Sequence, residues 1–223
     1  MPPTARNASP TRRIPVLVLG LLVAAVIGAV LGHVLTAPGP AADTRPGPVD
    51  IGFSQDMSTH HAQAVLMASL ADSRAGPAVT AIANSILIDQ SQELGAMRGW
   101  LGLWGEPLQT TVPMAWMATG GPTAPAGPPD GAMTAGGSMP GMASPEELAT
   151  LWGKSGNDFD VMFMQLMIRH HQGGQIMAGY AASHATLDVV RHAAATMQFE
   201  QAEEIGSMRA LLSSYGARPL PAP

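Results

Sequence analysis

The stretch Met57-Ser-Thr-His60-His61-Ala-Gln-Ala-Val-Leu-Met67 appears a second time in this chain of 223 residues, as Met167-Ile-Arg-His170-His171-Gln-Gly-Gly-Gln-Ile-Met177. Both copies have the pattern M-x-x-H-H-x5-M, and matching residues stand 110 positions apart. The segments that follow agree as well. Residues 90–98 and 201–209 share the pattern Q-x-x-E-[LI]-G-x-M-R at an offset of 111. Agreement over roughly fifty positions indicates a duplicated structural unit.

Each unit predicts a helical hairpin, because apolar residues recur at helical spacing on both sides of a break. In the first unit, Asp50 can cap the opening helix, and Gly76-Pro77 stops one helix and starts the next. The four helices are predicted over residues 50–73, 77–105, 157–183 and 187–215. Two hairpins, over residues 50–105 and 157–216, therefore predict an all-α four-helix bundle that spans residues 50–216.

The connection between the hairpins, residues 106–143, is far longer than an ordinary loop between helices. It contains seven prolines, seven glycines and five methionines but only two charged residues, so it is not helical throughout. One long crossover between two hairpins is typical of the ferritin-like topology. Ser144-Pro145-Glu146-Glu147 then resembles a capping box and predicts a short helix up to Lys154.

The chain before the bundle predicts a membrane anchor. Residues 1–13 carry three arginines and no acid, and residues 14–35 form an uncharged apolar run of about 33 Å, long enough to cross a bilayer. Residues 36–49 are rich in proline, glycine and alanine and predict a linker. By the positive-inside rule the N-terminus is cytoplasmic and the bundle lies outside the cytoplasm. Cleavage near Ala41-Ala42, which would give a secreted form, stays open.

The two His-His pairs are the centre of a candidate metal site. Neighbouring residues of a helix point about 100° apart, so one histidine of each pair is expected to face the interior and the other a groove or the surroundings of the site. A methionine stands one turn before each pair and another two turns after it. The candidate ligands are Met57, His60, His61, Met67, Met167, His170, His171 and Met177.

The second helix of each hairpin carries carboxylates and a methionine on one face. If the first hairpin turns near residue 75, Glu93 lies level with Met57. These residues are predicted to surround the site or to serve as alternative metal ligands. They are Asp89, Glu93, Met97, Glu200, Glu204 and Met208.

The types of donor atom favour copper. The chain has 15 methionines and no cysteine, so a soft metal site would use thioethers rather than thiolates. Thioethers with imidazoles suit Cu(I), whereas histidines with carboxylates suit the di-iron or di-manganese centre of an oxidase. The Glu-x-x-His motif of such centres is absent, and Met-x-x-His-His stands in its place. Two alternatives stay open: an oxidase that uses Glu93 and Glu204, and a structural bundle with a partner-binding methionine surface.

Over about residues 50–216 the chain resembles the family named domain of unknown function 305. The resemblance rests on Phe53-x-x-Asp56-Met57-x-x-His60-His61, on its counterpart in residues 159–171, and on the Gln-x-x-Glu-[Leu/Ile]-x-x-Met segments. Met139-Pro140-Gly141-Met142 also resembles a segment found before the second half of many members. The resemblance implies a ferritin-like, extracytoplasmic protein, and some members resemble periplasmic copper-binding proteins that sequester copper and aid resistance.

Carried over to this sequence, the resemblance implicates both His-His motifs and, more weakly, four further methionines. The first group is Met57, His60, His61, Met167, His170 and His171, and the second is Met67, Met177, Met139 and Met142. Ser58-Thr59 replaces the more apolar residues often found before the first pair, which leaves open whether the two halves bind equally.

Together these features predict a membrane-anchored copper-binding protein that buffers Cu(I) or exchanges it with a donor or acceptor protein. No nucleophile and base form a recognisable pair, so we do not expect an enzyme. A net charge of -5 argues against a broad basic face for nucleic acid.

Overall fold

A computed structural model describes residues 45–118 and 139–223 of the chain. Among these residues there are six α-helices, one short 3-10 turn and no strand. The helices are α1 (Pro48–Ser69), α2 (Pro77–Trp104), α3 (Ala115–Ala118), α4 (Pro145–Trp152), α5 (Gly156–His184) and α6 (Asp188–Ser214). The prediction of an all-α helical bundle is confirmed for this part of the chain.

Several sequence predictions fall on residues that the structure does not describe. The predicted cytoplasmic segment 1–13 and membrane anchor 14–35 lie outside the described residues, as do residues 36–44 of the predicted linker and residues 119–138 of the crossover. Within the two described segments, no helix is both long and apolar enough to span a bilayer.

The four long helices pack as two hairpins. Helix α1 packs against α2, α5 packs against α6, and the hairpins meet through α1 and α5. In the first hairpin, Gly76 precedes Pro77 at the start of α2, where proline fits because this position needs no backbone N–H. Helix α2 ends at Gly105, whose φ of 73° is a left-handed conformation that glycine adopts readily. The short helices α3 and α4 contact α1 and α5 respectively.

Two buried aspartates, 110 positions apart in the chain, join the hairpins to each other. Asp50, on α1, accepts hydrogen bonds from the backbone N–H groups of Thr186 and Leu187 at 3.1 and 3.0 Å, in the turn of the second hairpin. Asp160, on α5, accepts a hydrogen bond from the backbone N–H of Gly76 at 3.0 Å, in the turn of the first hairpin. A buried aspartate of each hairpin therefore accepts backbone hydrogen bonds from the turn of the other hairpin.

Two apolar clusters form the core, and each draws on both hairpins. The Phe53 cluster combines the N-terminal half of α1 with the C-terminal half of α5, and the Phe163 cluster combines the opposite halves. Helices α1 and α5 therefore run antiparallel. Phe53 and Phe163 occupy matching positions of the repeat, and both are fully buried. The His-His pairs stand in the middle of α1 and α5, between the two clusters.

Replacing Asp160 by alanine should destabilise the protein by about 1–2 kcal/mol, because the partly buried Gly76 N–H and the Tyr215 hydroxyl, 2.8 Å from Asp160, would both lose their acceptor. Urea unfolding of the purified protein measures the change. Asp158→Ala is the matched control, since that carboxylate is 82% exposed and lies 3.8 Å from Lys154. Equal stability of the two variants would contradict the role given to Asp160.

Candidate metal centre

The four paired histidines form one buried layer in the middle of the bundle, and none is more than 1% exposed. The rings of His60 and His170 lie against each other across the contact between α1 and α5, with centroids 3.7 Å apart and planes inclined by 32°. His61 and His171 turn instead toward the second helix of their own hairpins. Both histidines of each pair are buried because α1 and α5 each have a neighbouring helix on two sides, so directions about 100° apart both lead inward.

A carboxylate meets each of these outer rings. His61 Nε2 lies 2.8 Å from Glu93 Oε2 on α2, and His171 Nε2 lies 2.6 Å from Glu204 Oε2 on α6. The two pairs occupy matching positions of the repeat, so the histidine layer has approximate two-fold symmetry. Glu93 thus meets the histidine pair, whereas the sequence predicts it level with Met57.

Burial favours the uncharged form of three of these imidazoles, those of His60, His61 and His170. Loss of solvation lowers the pKa of both His60 and His61 to about 3, with a further lowering from neighbouring histidine rings. The pKa of His170 also lies well below its usual value, first because of burial and then because of His60, His171 and His61. Burial raises the pKa of Glu93 to about 7, and the nearby carboxylates Glu204 and Asp89 raise it as well.

The hydrogen bonds select one tautomer for three of the rings. A neutral imidazole carries one N–H, and the Nε2 atoms of His60, His61 and His171 face the Pro140 carbonyl oxygen, Glu93 and Glu204 respectively. When the carboxylates are ionised, all three Nε2 atoms must donate. The Nδ1 lone pair of each ring is then free, and these Nδ1 atoms are buried without a hydrogen-bond partner. Neither nitrogen of His170 has a partner at good hydrogen-bond geometry, and only a weaker contact with the His60 backbone acts to raise its pKa.

The six repeat-matched methionines divide equally between the two clusters beside this layer. All six are fully buried. The Phe53 cluster contains Met57, Met97 and Met177, and the Phe163 cluster contains Met67, Met167 and Met208. Each cluster therefore draws two methionines from one repeat and one from the other, as the approximate two-fold symmetry requires. Two candidate methionines come from the crossover. Met139 is half-buried and packs against the Phe53 cluster, and Met142 is also half-buried.

The remaining acidic candidates lie at the surface. Asp89 and Glu200 are exposed and line a groove between α2 and α6 together with Glu93, Trp100 and Met197. Glu93 is 18% exposed at its side chain, so it reaches both this groove and His61. The groove therefore brings three carboxylates to the outer side of the histidine layer.

Two buried glutamines, which the sequence pattern did not predict as site residues, are each the first residue of a Q-x-x-E segment of the repeat. Gln90 and Gln201 occupy matching positions three residues before Glu93 and Glu204, and both are nearly inaccessible to solvent. The Gln90 amide has no hydrogen-bond partner, and neither has Gln201 Oε1. The recurrence of glutamine at the first position of both Q-x-x-E segments is the feature of the sequence that could have predicted their burial.

The donor groups fit a soft cation better than a hard one. In the described part of the chain, no three or more histidine, aspartate and glutamate side chains are arranged to hold one metal ion. Glu93 and Glu204, the ligands that a di-iron or di-manganese centre would use, instead accept hydrogen bonds from histidines. Uncharged imidazole nitrogens without partners, between clusters that contain thioethers, are the donors that Cu(I) prefers.

Residues 50–212 match the family described as domain of unknown function (DUF305). The chain belongs to the DUF305 family. A DUF305 protein from Streptomyces coelicolor that is described as secreted is 34% identical, and its structure superposes with a TM-score of 0.68 over 78% of this chain and 97% of its own. A comparison with curated proteins finds no match.

Other solved structures share the fold. A DUF305 fragment from Deinococcus radiodurans is 27% identical, with a TM-score of 0.61 over 76% of this chain and 99% of its own. CopM in its Cu(II)-bound form is 22% identical, with a TM-score of 0.56 over 74% of this chain and 97% of its own. At that identity, the likeness to CopM shows the fold alone.

The stability of this DUF305 protein should rise as the pH is raised from about 3 to about 6.5. His60, His61 and His170 are neutral when folded but take up protons when unfolded below their ordinary pKa of 6.5. Glu93 acts in the opposite direction, because it releases a proton on unfolding between about pH 4.5 and 7. Asp56 and Glu200, whose pKa values are raised first by burial, act in the same direction as Glu93. The three histidines outweigh these carboxylates, so unfolding at about pH 5 should take up protons net.

Urea unfolding at a series of pH values measures this slope. The variant His192→Gln, which alters an exposed histidine on α6, should leave it unchanged. A stability that is flat or falls with rising pH over this range would contradict the assignment of neutral buried imidazoles.

Proposed function

We propose that this DUF305 protein is an extracytoplasmic copper-binding protein that holds Cu(I) through imidazole and thioether groups and exchanges it with other copper carriers. The observation that carries the proposal is the buried layer of four histidines. Three of these rings have a markedly lowered pKa, and all four have nitrogen atoms without hydrogen-bond partners. Such nitrogens cost stability in the metal-free protein, and binding to a metal would satisfy them.

The surroundings of the layer favour a soft, singly charged cation. Three of the four rings are held neutral by burial, so the layer itself supplies no negative charge to offset a more highly charged ion. Thioether sulfur prefers Cu(I), and methionines lie in the clusters on both sides. Glu93 and Glu204 would then act as hydrogen-bond partners that orient His61 and His171 rather than as ligands.

The proposed ligands come from both repeats. They are His60, His61, His170 and His171 with Met57, Met67, Met167 and Met177, and Met139 and Met142 at the edge of the layer. Met97 and Met208 share the clusters of these methionines and are further thioether candidates. Asp89 and Glu200 would attract the cation at the surface rather than bind it inside.

The comparisons support copper and a location outside the cytoplasm. CopM shares the fold and has been crystallised with Cu(II) and with Cu(I). The relative from Streptomyces coelicolor is described as secreted. We extend copper binding and a location outside the cytoplasm to this chain. Residues 14–35 would anchor it in the membrane, and residues 36–49 would act as a linker. A ferritin-like bundle with one long crossover would then bind the metal outside the cytoplasm.

Anaerobic titration with Cu(I), buffered by a chromogenic chelator, tests the proposal on the purified protein. The variant His60→Ala/His170→Ala should lose at least about 100-fold in affinity, because even residues that only orient metal ligands contribute about 10- to 100-fold. His192→Ala, on the exposed face of α6, should bind like the wild-type protein. Absence of tight Cu(I) binding by the wild-type protein, or equal affinities for all three proteins, would contradict the proposal.

Metal analysis of protein purified without added metal separates copper binding from the oxidase alternative. A di-iron or di-manganese oxidase would contain two of those ions and consume O2 in their presence. We expect neither, and Glu93→Gln should leave at least part of the Cu(I) binding intact because the glutamine retains an oxygen acceptor. Stoichiometric iron or manganese with O2 consumption would favour the oxidase.

A further inference from the structure

The end of the crossover lies directly on the histidine layer. We call residues Met139–Ala143 the strap. The Pro140 carbonyl oxygen lies 3.1 Å from His60 Nε2, and this distance makes the ring nitrogen the donor, since a carbonyl only accepts. The strap belongs to a segment that neither hairpin contains, yet it supplies the hydrogen-bond partner of a central histidine.

Two glycines permit this approach. A Cβ atom at Gly173, on α5, would overlap the Pro140 carbonyl oxygen, and a Cβ atom at Gly141 would overlap the backbone carbonyl of Arg169. Gly141 also has a φ of 79°, a conformation that other residues rarely adopt. The strap therefore touches α5 backbone to backbone, which only these glycines allow.

Side chains hold the strap on both helices. On α1, Gln63 clamps Ala143: its Nε2 donates to the Ala143 carbonyl oxygen at 3.0 Å, and its Oε1 accepts from the Ala143 N–H at 2.7 Å. On α5, Arg169 donates to the Met142 carbonyl oxygen at 3.4 Å and to Glu147 Oε1 at 2.9 Å. The position of the Pro140 carbonyl is thus determined from both hairpins.

The strap crosses the bundle where the two repeats differ. Gln63 and Gly173 stand at matching positions of the repeat, 110 residues apart. Gln63 forms two hydrogen bonds with the backbone of Ala143, whereas Gly173, which lacks a Cβ atom, allows the Pro140 carbonyl to approach α5. As a result, His60 has a carbonyl of the strap as its hydrogen-bond partner, while neither nitrogen of its counterpart His170 has a partner at good hydrogen-bond geometry. The strap therefore makes the two halves of an otherwise symmetric layer unequal.

We infer that the strap is a positioning element of the histidine centre: the Pro140 carbonyl holds His60 as the Nε2–H tautomer and so presents Nδ1 as its free donor atom. Gly173 and Gln63 act through this contact rather than by touching a metal. The first part concerns the metal-free protein. The consequence for affinity rests on the proposed binding of Cu(I), because a residue that fixes the tautomer of a ligand raises its affinity for the metal.

The tautomer can be measured directly in metal-free protein. Long-range correlation spectra of 15N-labelled histidines at mildly alkaline pH should show His60 as a single Nε2–H tautomer. Gly173→Ala, which displaces the strap, and Gln63→Leu, which removes both hydrogen bonds to Ala143, should each give a mixture with the Nδ1–H form. Gly206→Ala is the matched control, because a Cβ atom there meets nothing within 4 Å.

Cu(I) titration of the same proteins gives the second measurement. Both strap variants should lose about 10- to 100-fold in affinity for Cu(I), and Gly206→Ala should bind Cu(I) as tightly as the wild-type protein does. Should Gly173→Ala fail to fold, Gln63→Leu alone decides, since it introduces no overlap.

The outcomes separate this inference from the proposed function. If His60 keeps one Nε2–H tautomer in the folded strap variants, or is not in that form in the wild-type protein, the strap only packs and the inference is wrong. If the wild-type protein shows the tautomer but binds no Cu(I), the positioning role stands and the proposed function fails. Altered tautomer with unchanged Cu(I) affinity would overturn the part of the inference that concerns metal binding.

Discussion

The burial of uncharged imidazoles in the middle of the bundle is the constraint on which the rest of the structure depends. A charged histidine there would lose its hydration without a full counter-charge, which is why the pKa of His60 and of His61 falls to about 3. Each neutral ring still needs an acceptor for its N–H. Glu93, Glu204 and the Pro140 carbonyl provide three of them, and each comes from a different segment of the chain.

The duplication supplies one histidine–carboxylate pair from each repeat. Because the two hairpins pack with α1 and α5 antiparallel, several contacts made by one repeat recur in the other. Asp50 and Asp160 hold each other's turns, the histidine–carboxylate pairs recur, and the repeat-matched methionines divide equally between two clusters. The strap interrupts this symmetry, because a single crossover segment can lie on the layer in only one orientation.

Several polar atoms of the core have no hydrogen-bond partner. Buried nitrogens and the Gln90 amide without hydrogen-bond partners weaken the folded state, and a protein selected for stability alone would pair them or replace them with apolar groups. Their presence in the core is the main support for the proposal that a ligand binds there. Under the proposed function, thioethers beside them would offer Cu(I) soft donors without a thiolate that could form disulfides in an oxidising compartment.

Local patterns in the sequence were enough to predict the helices, the duplication, and the identity of the histidines and methionines near the centre. Helical periodicity and capping depend on neighbours within a turn or two, so they can be deduced from the sequence alone. Three features depended on the tertiary structure: the pairing of Glu93 with His61, the burial of both histidines of each pair, and the contact of Pro140 with His60. Each of them follows from the register of one helix against another or from the path of the crossover, and these are set by packing between segments that lie far apart in the chain.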